Sequence, residues 1–270
     1  AGVGDPYFIE FDSAGNLFVL DYASVSRLKK VSPLGVVSTL YTGTGLGMTV
    51  DDAGNAYFIV GAVVKKITPA GAVSDYGTWF GGSYEMAFDS AGYLYLAGYS
   101  NPWVERIPPG GGAATIFASG LGSPIGLDFD SLGNLIVADY QGTVKKVTPA
   151  GAVSTIVSSG LTNTYSVAID ANDNIFVGDF QGGNVYRVTS DGGLVRIASG
   201  LPNVKGLAFG PDGNLYVAKA DIAPTQIVKL IPGGTATNEF TIRPSQPNRS
   251  INLGTNAAGS IGLTEAELDH

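Results

Sequence analysis

Acidic side chains are the residues of this sequence best suited to chemistry. The chain contains no cysteine, and its one histidine is the last residue, His270. Thiolate nucleophiles, thiolate metal sites and disulfides are therefore excluded. No histidine precedes that end to serve as the base of a Ser-His-Asp relay or in a three-histidine metal site. Carboxylates are the groups left to support catalysis or ligand binding.

The carboxylates fall into two sets that both lie in strand-length apolar runs. Three stand inside such runs: Glu10 in "YFIEF", Glu85 in "SYEMAF" and Asp128 in "GLDFD". Three others close a run: Asp21 in "LFVLD", Asp139 in "LIVAD" and Asp179 in "IFVGD". Their possible meaning depends on the elements that carry them.

Those elements recur along the chain. A turn of the form Asp-x-x-Gly-Asn appears as "DSAGN", "DDAGN", "DSAGY", "DSLGN", "DANDN" and "GPDGN", at intervals of 38 to 41 residues. Each turn is flanked by short apolar runs, and the glycine supplies the positive φ that a tight hairpin needs. Six units of about 40 residues with four short strands each predict an all-β fold, a six-bladed β-propeller of four-stranded antiparallel blades.

The stretches "GLDFDSLGNLIVADYQGTVKKVTPAG" and "GLAFGPDGNLYVAK" resemble the NHL-repeat family and the related six-bladed propellers of the gluconolactonase and streptogramin-lyase type. The resemblance covers nearly nine tenths of the chain and specifies fold far better than function. Residues 1–242 are predicted to form the propeller, and 243–270 a linker and tail. Because the first repeat opens with an inner strand and the last closes with an outer strand ("NEFTI"), the ring need not exchange a strand across its termini.

A cation recurs in the third strand of every unit. The six residues are Lys30, Lys66, Arg106, Lys146, Arg187 and Lys229. Five units also end their inner strand with an aspartate, at 12, 51, 89, 130 and 170. First and third strands of a blade run in the same direction, so these charges are expected to lie at one end and to pair. A structural interpretation is therefore favoured over an anion site, because repeat proteins renew their contacts in every copy.

The opposite end of the ring, which we call the tyrosine mouth, is where the copies differ. It is formed by the starts of the six inner strands and by the turns between second and third strands. Aromatic rings with carboxylates suit sugars or cationic ligands, but the rings could instead wedge between blades and the aspartates could cap their own turns. The candidate ligand-binding residues there are Tyr7, Asp21, Tyr22, Tyr84, Tyr99, Asp139, Tyr140, Tyr165, Asp179, Lys205 and Lys219.

The channel gives a second hypothesis. Glu10 and Asp128 occupy the same strand position in units 1 and 4, which face each other across the axis, and Glu85 replaces a glycine or small residue of most copies. The resemblance to gluconolactonases implies a divalent cation in the channel, with these three carboxylates as candidate calcium ligands. The asparagine ligands of that family have no counterpart, since the matching positions hold Thr or Ala. A buried salt bridge or a solvated channel is the alternative. The lyase family's channel histidines are absent.

Composition and charge limit the kinds of partner that the protein can be expected to bind. With a net charge of −8, 39 glycines and 14% charged residues, the chain is predicted to be globular, with no nucleic-acid partner and no membrane insertion. The stretch "SINLGTNAAGSIGLTEAELDH" resembles the beginning of repeat arrays in large bacterial surface proteins of the filamentous-haemagglutinin type. That resemblance implies an exported, extracellular or cell-surface module, monomeric within a longer chain.

Three functions remain open at this point. The first is a non-catalytic recognition module that binds a protein or glycan at the tyrosine mouth. The second is a divalent-cation-dependent, lactonase-like hydrolase acting in the channel. The third is a structural spacer. We favour the recognition module from the sequence, because the set of channel ligands is incomplete.

Overall fold

The structure is a computed structural model that describes residues 4–22, 25–220 and 226–230. These ranges contain 24 strands. They include no helix long and apolar enough to cross a membrane. The predicted tail at 243–270 and the predicted outer strand "NEFTI" lie outside the described residues.

The strands form six small sheets, one for each predicted blade. Blade 1 contains β1 (Pro6–Phe11), β2 (Leu17–Asp21), β3 (Arg27–Val31) and β4 (Val37–Thr42). Blade 2 contains β5 (Leu46–Val50), β6 (Ala56–Val60), β7 (Val63–Ile67) and β8 (Val73–Thr78). Blade 3 contains β9 (Ser83–Phe88), β10 (Leu94–Gly98), β11 (Trp103–Ile107) and β13 (Thr115–Ser119), with β12 (Gly112–Ala113) between the last two.

The second half of the chain repeats the arrangement. Blade 4 contains β14 (Pro124–Phe129), β15 (Leu135–Asp139), β16 (Thr143–Val147) and β17 (Val153–Val157). Blade 5 contains β18 (Thr164–Ile169), β19 (Ile175–Asp179), β20 (Asn184–Val188) and β21 (Leu194–Ala198). Blade 6 contains β22 (Val204–Phe209), β23 (Leu215–Lys219) and β24 (Gln226–Leu230) within the described residues. The six-bladed propeller predicted from the repeat is confirmed.

One blade departs from the regular pattern. The two-residue strand β12 leaves blade 3 and pairs in parallel with β8, so that the sheet of blade 2 has five strands. Gly111 makes this crossing possible. Its φ is +99°, and a Cβ there would lie 2.0 Å from the carbonyl oxygen of Tyr76. A side chain at 111 would push the two blades apart.

The recurring turn joins the first strand of a blade to the second by backbone and side-chain hydrogen bonds. In blade 2 the Asp51 carboxylate accepts hydrogen bonds from the amide nitrogens of Ala53 and Asn55, at 3.1 and 2.8 Å, and from the Asn55 side chain. Gly54 adopts a φ of +76°, which favours glycine. In blade 5 Asp173 takes that conformation with a φ of +61°. Aspartate tolerates it better than most residues. We call this side of the ring the turn end.

The core lies between the blades. Six clusters of buried apolar side chains fill the six interfaces, and each draws residues from two neighbouring blades. Ring closure uses the same contact, since Ile9 and Leu17 of blade 1 pack with Ala208 and Tyr216 of blade 6. The second strands of blades 1, 3, 4 and 6 are buried along their whole length.

The third-strand cations pair as predicted in the blades where a partner is resolved. Lys30 lies 3.7 Å from Asp12, and Lys146 lies 3.5 Å from Asp130. In blade 6, which has Gly210 at the strand-end position, Lys229 instead pairs with the turn residue Asp212 at 2.7 Å. Blades 2 and 3 use aromatic partners, and Lys66 lies 5.4 Å from the ring centroid of Tyr57. In five of the six blades the repeated cation thus contacts side chains of its own blade, which supports the structural interpretation.

We expect the same substitution to have unequal effects at two of these equivalent positions. Lys229 is 2% exposed, so Lys229→Ala leaves the Asp212 carboxylate without its buried partner and should lower the free energy of unfolding by about 3–5 kcal/mol. Lys146 is 36% exposed, and Lys146→Ala should cost about 0–1 kcal/mol. Urea unfolding of the two variants measures the difference. Equal losses would contradict the assignment of Lys229 to a buried pair.

Candidate functional site

Aromatic rings from four blades converge at the tyrosine mouth. Tyr165 of blade 5 lies 6.0 Å from Tyr84 of blade 3 and 6.0 Å from Tyr140 of blade 4, measured between ring centroids. Tyr99 contacts Tyr84 at 5.0 Å and Tyr140 at 5.5 Å. Tyr7 packs on Tyr22 of the same blade at 4.8 Å. The predicted aromatic set is brought together, and its rings contact one another from blade to blade.

Lys205 of blade 6 lies inside this cluster. Its side chain is 4% exposed, and its ammonium nitrogen is 4.2 Å from the ring centroid of Tyr7, 4.3 Å from that of Tyr165 and 4.5 Å from that of Phe180. Rings stabilise a cation at such distances through their negative faces. Phe180 was not among the candidate site residues, although it directly follows Asp179. Lys219 is buried at the end of β23, where its backbone pairs with Val204 and Gln226.

The three aspartates at the mouth bind backbone amides. Asp21 accepts a hydrogen bond from the amide of Asp5 at 2.7 Å and also forms an ion pair with Lys29. Burial acts to raise the pKa of Asp21, but the bonds from Lys29 and the backbone outweigh it and hold that pKa below its usual range. Each of the three carboxylates binds the loop that leads into the inner strand of its blade, whereas the capping alternative concerned the turn that follows each aspartate.

Asp139 and Asp179 repeat this arrangement in blades 4 and 5. Asp139 accepts from the amide of Ser123 at 3.0 Å and pairs with Lys145 at 3.1 Å. Asp179 accepts from the amides of Thr162 and Asn163, at 3.1 and 3.2 Å. All three aspartates are at most 2% exposed. Their oxygens are directed at the protein backbone.

The channel contains a cavity of about 230 Å³ near the turn end. Glu10, Glu85 and Asp128 line it, so the structure brings the three channel carboxylates predicted from the sequence into one cavity. The remaining lining is apolar and includes Phe11, Met48, Ile169, Leu207 and Phe209. A cavity that combines apolar side chains with a few convergent polar groups is the usual form of a small-molecule site.

Each of the three carboxyl groups also contacts the inner strand of the next blade. Glu10 accepts from the amide of Val50 at 3.1 Å and from the Thr49 hydroxyl at 3.2 Å. Glu85 accepts from the amide of Leu127 at 2.9 Å. Asp128 accepts from the amide of Ile169 at 2.7 Å. The acids therefore join blade 1 to 2, blade 3 to 4 and blade 4 to 5.

Glycine makes room for one of these contacts. A Cβ at Gly126 would lie 3.0 Å from a carboxyl oxygen of Glu85 and 2.8 Å from the Cα of Ser166. Glu85 and Gly126 occupy the same strand position in adjacent blades. Larger residues therefore alternate with glycines at this level of the channel. The sequence contains this signal, because the position reads Phe8, Gly47, Glu85, Gly126, Ser166 and Gly206 around the ring.

Burial changes the protonation of the channel acids. Desolvation raises the pKa of Glu10 to about 8, and the negative charge of Asp128 adds to the shift. Desolvation raises the pKa of Asp128 to about 7. The pKa of Glu85 is held well above its usual range by the same cause, with Asp128 and Glu10 contributing. Asp128 is therefore half-ionised near neutral pH, and Glu10 holds its proton up to a slightly higher pH.

The three acids fit a calcium ion poorly. Among the described residues, no three acidic, histidine or cysteine side chains lie close enough together to hold one metal ion. Glu10 and Asp128 already use both carboxyl oxygens as hydrogen-bond acceptors. A cation would also have to displace the protons that the raised pKa values retain.

The fold is shared with propellers of known structure. No protein-family model and no curated protein sequence matches the chain. A calcium-binding regucalcin from Agrobacterium tumefaciens matches with a TM-score of 0.69 at 17% identity, over 83% of this chain and 85% of that one. A gluconolactonase from Xanthomonas campestris matches with a TM-score of 0.67 at 17% identity, over 81% and 85% of the two chains.

A streptogramin B lyase matches with a TM-score of 0.62 at 16% identity, over 80% of this chain and 91% of that one. At these identities the likeness establishes the fold and leaves the activity open. The resemblance to gluconolactonase-type and lyase-type propellers, drawn from the repeats, is confirmed at the level of the fold.

Truncation of an aromatic ring at the tyrosine mouth should lower the free energy of unfolding strongly at a buried position and only slightly at an exposed one. Tyr165 is 8% exposed and contacts four side chains, so Tyr165→Ala should lower the free energy of unfolding by roughly 3–5 kcal/mol. Tyr22 is 39% exposed, and Tyr22→Ala should cost about 0.5 kcal/mol or less. Chemical denaturation of both variants tests this. A mild loss at Tyr165 would show that the rings are not packed as a layer.

The raised pKa values predict how stability changes with pH. Glu10 binds its proton more tightly in the folded state, so its contribution is complete below the ordinary value of 4.5 and is lost as pH rises through about 8. Stability of the wild type should therefore fall between pH 5 and 8, and Glu10→Gln should remove part of that fall, on the order of 1 kcal/mol or more.

The control is Asp173→Asn. The pKa of this exposed carboxyl is lowered by hydrogen bonds from Ser131, so its titration lies below this window. Its stability curve between pH 5 and 8 should run parallel to that of the wild type. A Glu10→Gln curve that also stays parallel would contradict the protonated channel acid.

Proposed function

We propose that the protein is a hydrolase of lactones or related esters that acts at the three channel acids. The observation that carries the proposal is one cavity that holds Asp128, with a pKa of about 7, together with Glu85, whose pKa burial raises well above its usual range. A carboxylate that can act as a base and a carboxyl group that holds its proton more tightly than usual thus lie in one cavity. Clefts with such perturbed groups are candidates for general acid-base catalysis. The gluconolactonase among the structural neighbours supports this choice.

The reaction needs one water and two proton transfers. The Asp128 carboxylate takes a proton from water while the water oxygen bonds to the carbonyl carbon, whose π electrons move to the carbonyl oxygen. The Glu85 carboxylic acid donates a hydrogen bond to that oxygen. As the carbonyl re-forms, the ring C–O bond breaks and its oxygen takes the proton of Glu85. The product is a hydroxy acid, and a proton transfer from Asp128 to Glu85 through water restores the site.

Glu10 sets the charge of the cluster. Its pKa is raised by burial and by the charge of Asp128, so ionisation of one acid opposes ionisation of the other. Between pH values of about 7 and 8 this favours an ionised Asp128 beside a protonated Glu10. Thr49 and the amide of Val50 keep the Glu10 carboxyl in place, at 3.2 and 3.1 Å. We assign Glu10 a positioning role.

The test is hydrolysis of γ- and δ-lactones and of nitrophenyl esters between pH 5 and 9. Asp128→Asn should lower kcat/KM by about 100-fold or more, since a positioned base contributes about 10²- to 10⁴-fold. Asp130→Asn is the matched control, because Asp130 lies two residues away and binds Asn134 and Lys146 in its turn. It should retain wild-type kcat/KM. Equal rates in all three proteins, or no hydrolysis at all, would refute the proposal.

Calcium is a separate arm of this experiment, because the regucalcin neighbour is a calcium-binding protein. We expect no calcium-dependent rate and no appreciable rise in Tm at pH 7, since the channel acids would first have to lose protons. A real site would add roughly 2.7 kcal/mol at a hundredfold excess over its Kd. A shift of that size that Asp128→Asn abolishes would support the cation-dependent form of the hydrolase.

A recognition module for a glycan or protein is the second candidate function. It is supported by the exposure of Tyr22 on the outer surface of the tyrosine mouth, next to the partly exposed Tyr84, Tyr99 and Tyr140. Attachment to a bacterial surface within a longer chain belongs to this proposal. Glycan and peptide arrays that remain empty, together with lactone turnover, would decide against it.

A further inference from the structure

The cavity occupies one end of the channel. Its lining includes residues from the last position of three inner strands, Phe11, Ile169 and Phe209, which adjoin the turn end. None of the six residues at the starts of the inner strands, which we call the strand-start position, lines it, and all six belong to the described part of the chain. They are Tyr7, Leu46, Tyr84, Ile125, Tyr165 and Lys205. The cavity therefore stops below the tyrosine mouth.

The other end of the channel is filled by side chains. Tyr165 and Tyr84 contact each other although blade 4 lies between their blades, so their rings span part of the axis. Lys205 fills the space among Tyr7, Tyr165 and Phe180 and connects blades 1, 5 and 6. We call these five residues the aromatic-lysine layer.

Beneath this layer the inner strands of neighbouring blades also lie close together. A Cβ at Gly206 would lie 2.8 Å from the carbonyl oxygen of Tyr7, and one at Gly47 would lie 2.4 Å from the carbonyl oxygen of Tyr84. Inner strands of neighbouring blades therefore approach closely at alternate interfaces. Phe8 and Glu85, which stand at this level, line the cavity, whereas the layer above them does not, so the cavity ends at this level.

We infer that the channel acids are reached from the turn end, through a collar formed by Phe11, Ile169 and Phe209, and that the aromatic-lysine layer closes the tyrosine mouth. The ligand suited to this route is neutral and carries an apolar substituent, because the collar is apolar and further negative charge would be repelled by the acids. The inference rests on the proposed function for the identity of the site. Access itself can be measured without turnover.

The experiment uses single cysteines, which the sequence otherwise lacks. Ser166 and Ala168 lie on the same face of β18, two residues apart, and only Ala168 of the two lines the cavity. Ser166→Cys is conservative, since the Ser166 hydroxyl has no hydrogen-bond partner among the described residues. Both variants are treated with methyl methanethiosulfonate, and Tyr22→Cys gives the rate of an exposed thiol.

We expect Ala168→Cys to react at least tenfold faster than Ser166→Cys. Adding Lys205→Ala should open the layer and raise the labelling rate of Ser166→Cys by tenfold or more. The labelling rate of Ala168→Cys should change by less than about twofold. Phe180→Ala is the second opening variant if Lys205→Ala does not fold. Ser166→Cys reacting as fast as Ala168→Cys in the parent, or staying unchanged when the layer is opened, would overturn the inference.

A comparison of a neutral with an anionic thiol reagent tests whether the route favours neutral ligands. Relative to Tyr22→Cys, the anionic sulfonatoethyl reagent should react with Ala168→Cys about tenfold more slowly than the neutral methyl reagent. Equal discrimination at the two cysteines would contradict a route for neutral ligands. If labelling follows the expected pattern but lactones are not hydrolysed, the access route stands and the proposed function fails. If lactones are hydrolysed but labelling does not follow the expected pattern, the proposed function stands and the access route fails.

Discussion

Every blade of this propeller depends on its neighbours to cover two apolar sheet faces. A single four-stranded sheet of this kind leaves too much apolar surface in water to be stable, so packing between blades supplies most of the stabilisation. Six clusters fill six interfaces, and the ring closes when blade 6 packs on blade 1. This constraint places the six inner strands side by side around a narrow axis. Polar residues on those strands are therefore buried, as Thr49 and Ser166 are, or half-buried, as the three channel acids are, whether or not they have a function.

Burial explains why ionisation of the channel acids is unfavourable and why their pKa values are raised. An ionised carboxylate inside the ring would be strongly destabilising, so each acid is hydrogen-bonded to the next inner strand and retains its proton more readily. The groups that would carry catalysis thus also connect neighbouring blades. Function and stability are coupled at Asp128, which bonds to the amide of Ile169 in the wall of the same cavity.

The fold could be predicted because it repeats. One turn with an aspartate, a positive-φ glycine and an asparagine, spaced by about 40 residues, determines the strand order and the blade count. The two candidate locations also followed from the alignment of the copies, since the tyrosines meet at one end and Glu10, Glu85 and Asp128 share a cavity. Residues at equivalent positions must lie at equivalent heights around the axis.

The contacts within those locations could not be predicted in the same way. Asp21, Asp139 and Asp179 have the sequence pattern of ligand-binding residues, but their oxygens hold backbone amides of loops some 16 residues earlier in the chain. Phe180 joins the cluster because Lys205 of the next blade reaches it. Lysine stands at the strand-start position in blade 6 and in no other blade. The repeat determines where that position lies, and the side chains that differ there from copy to copy make the two ends of a nearly symmetric ring chemically different.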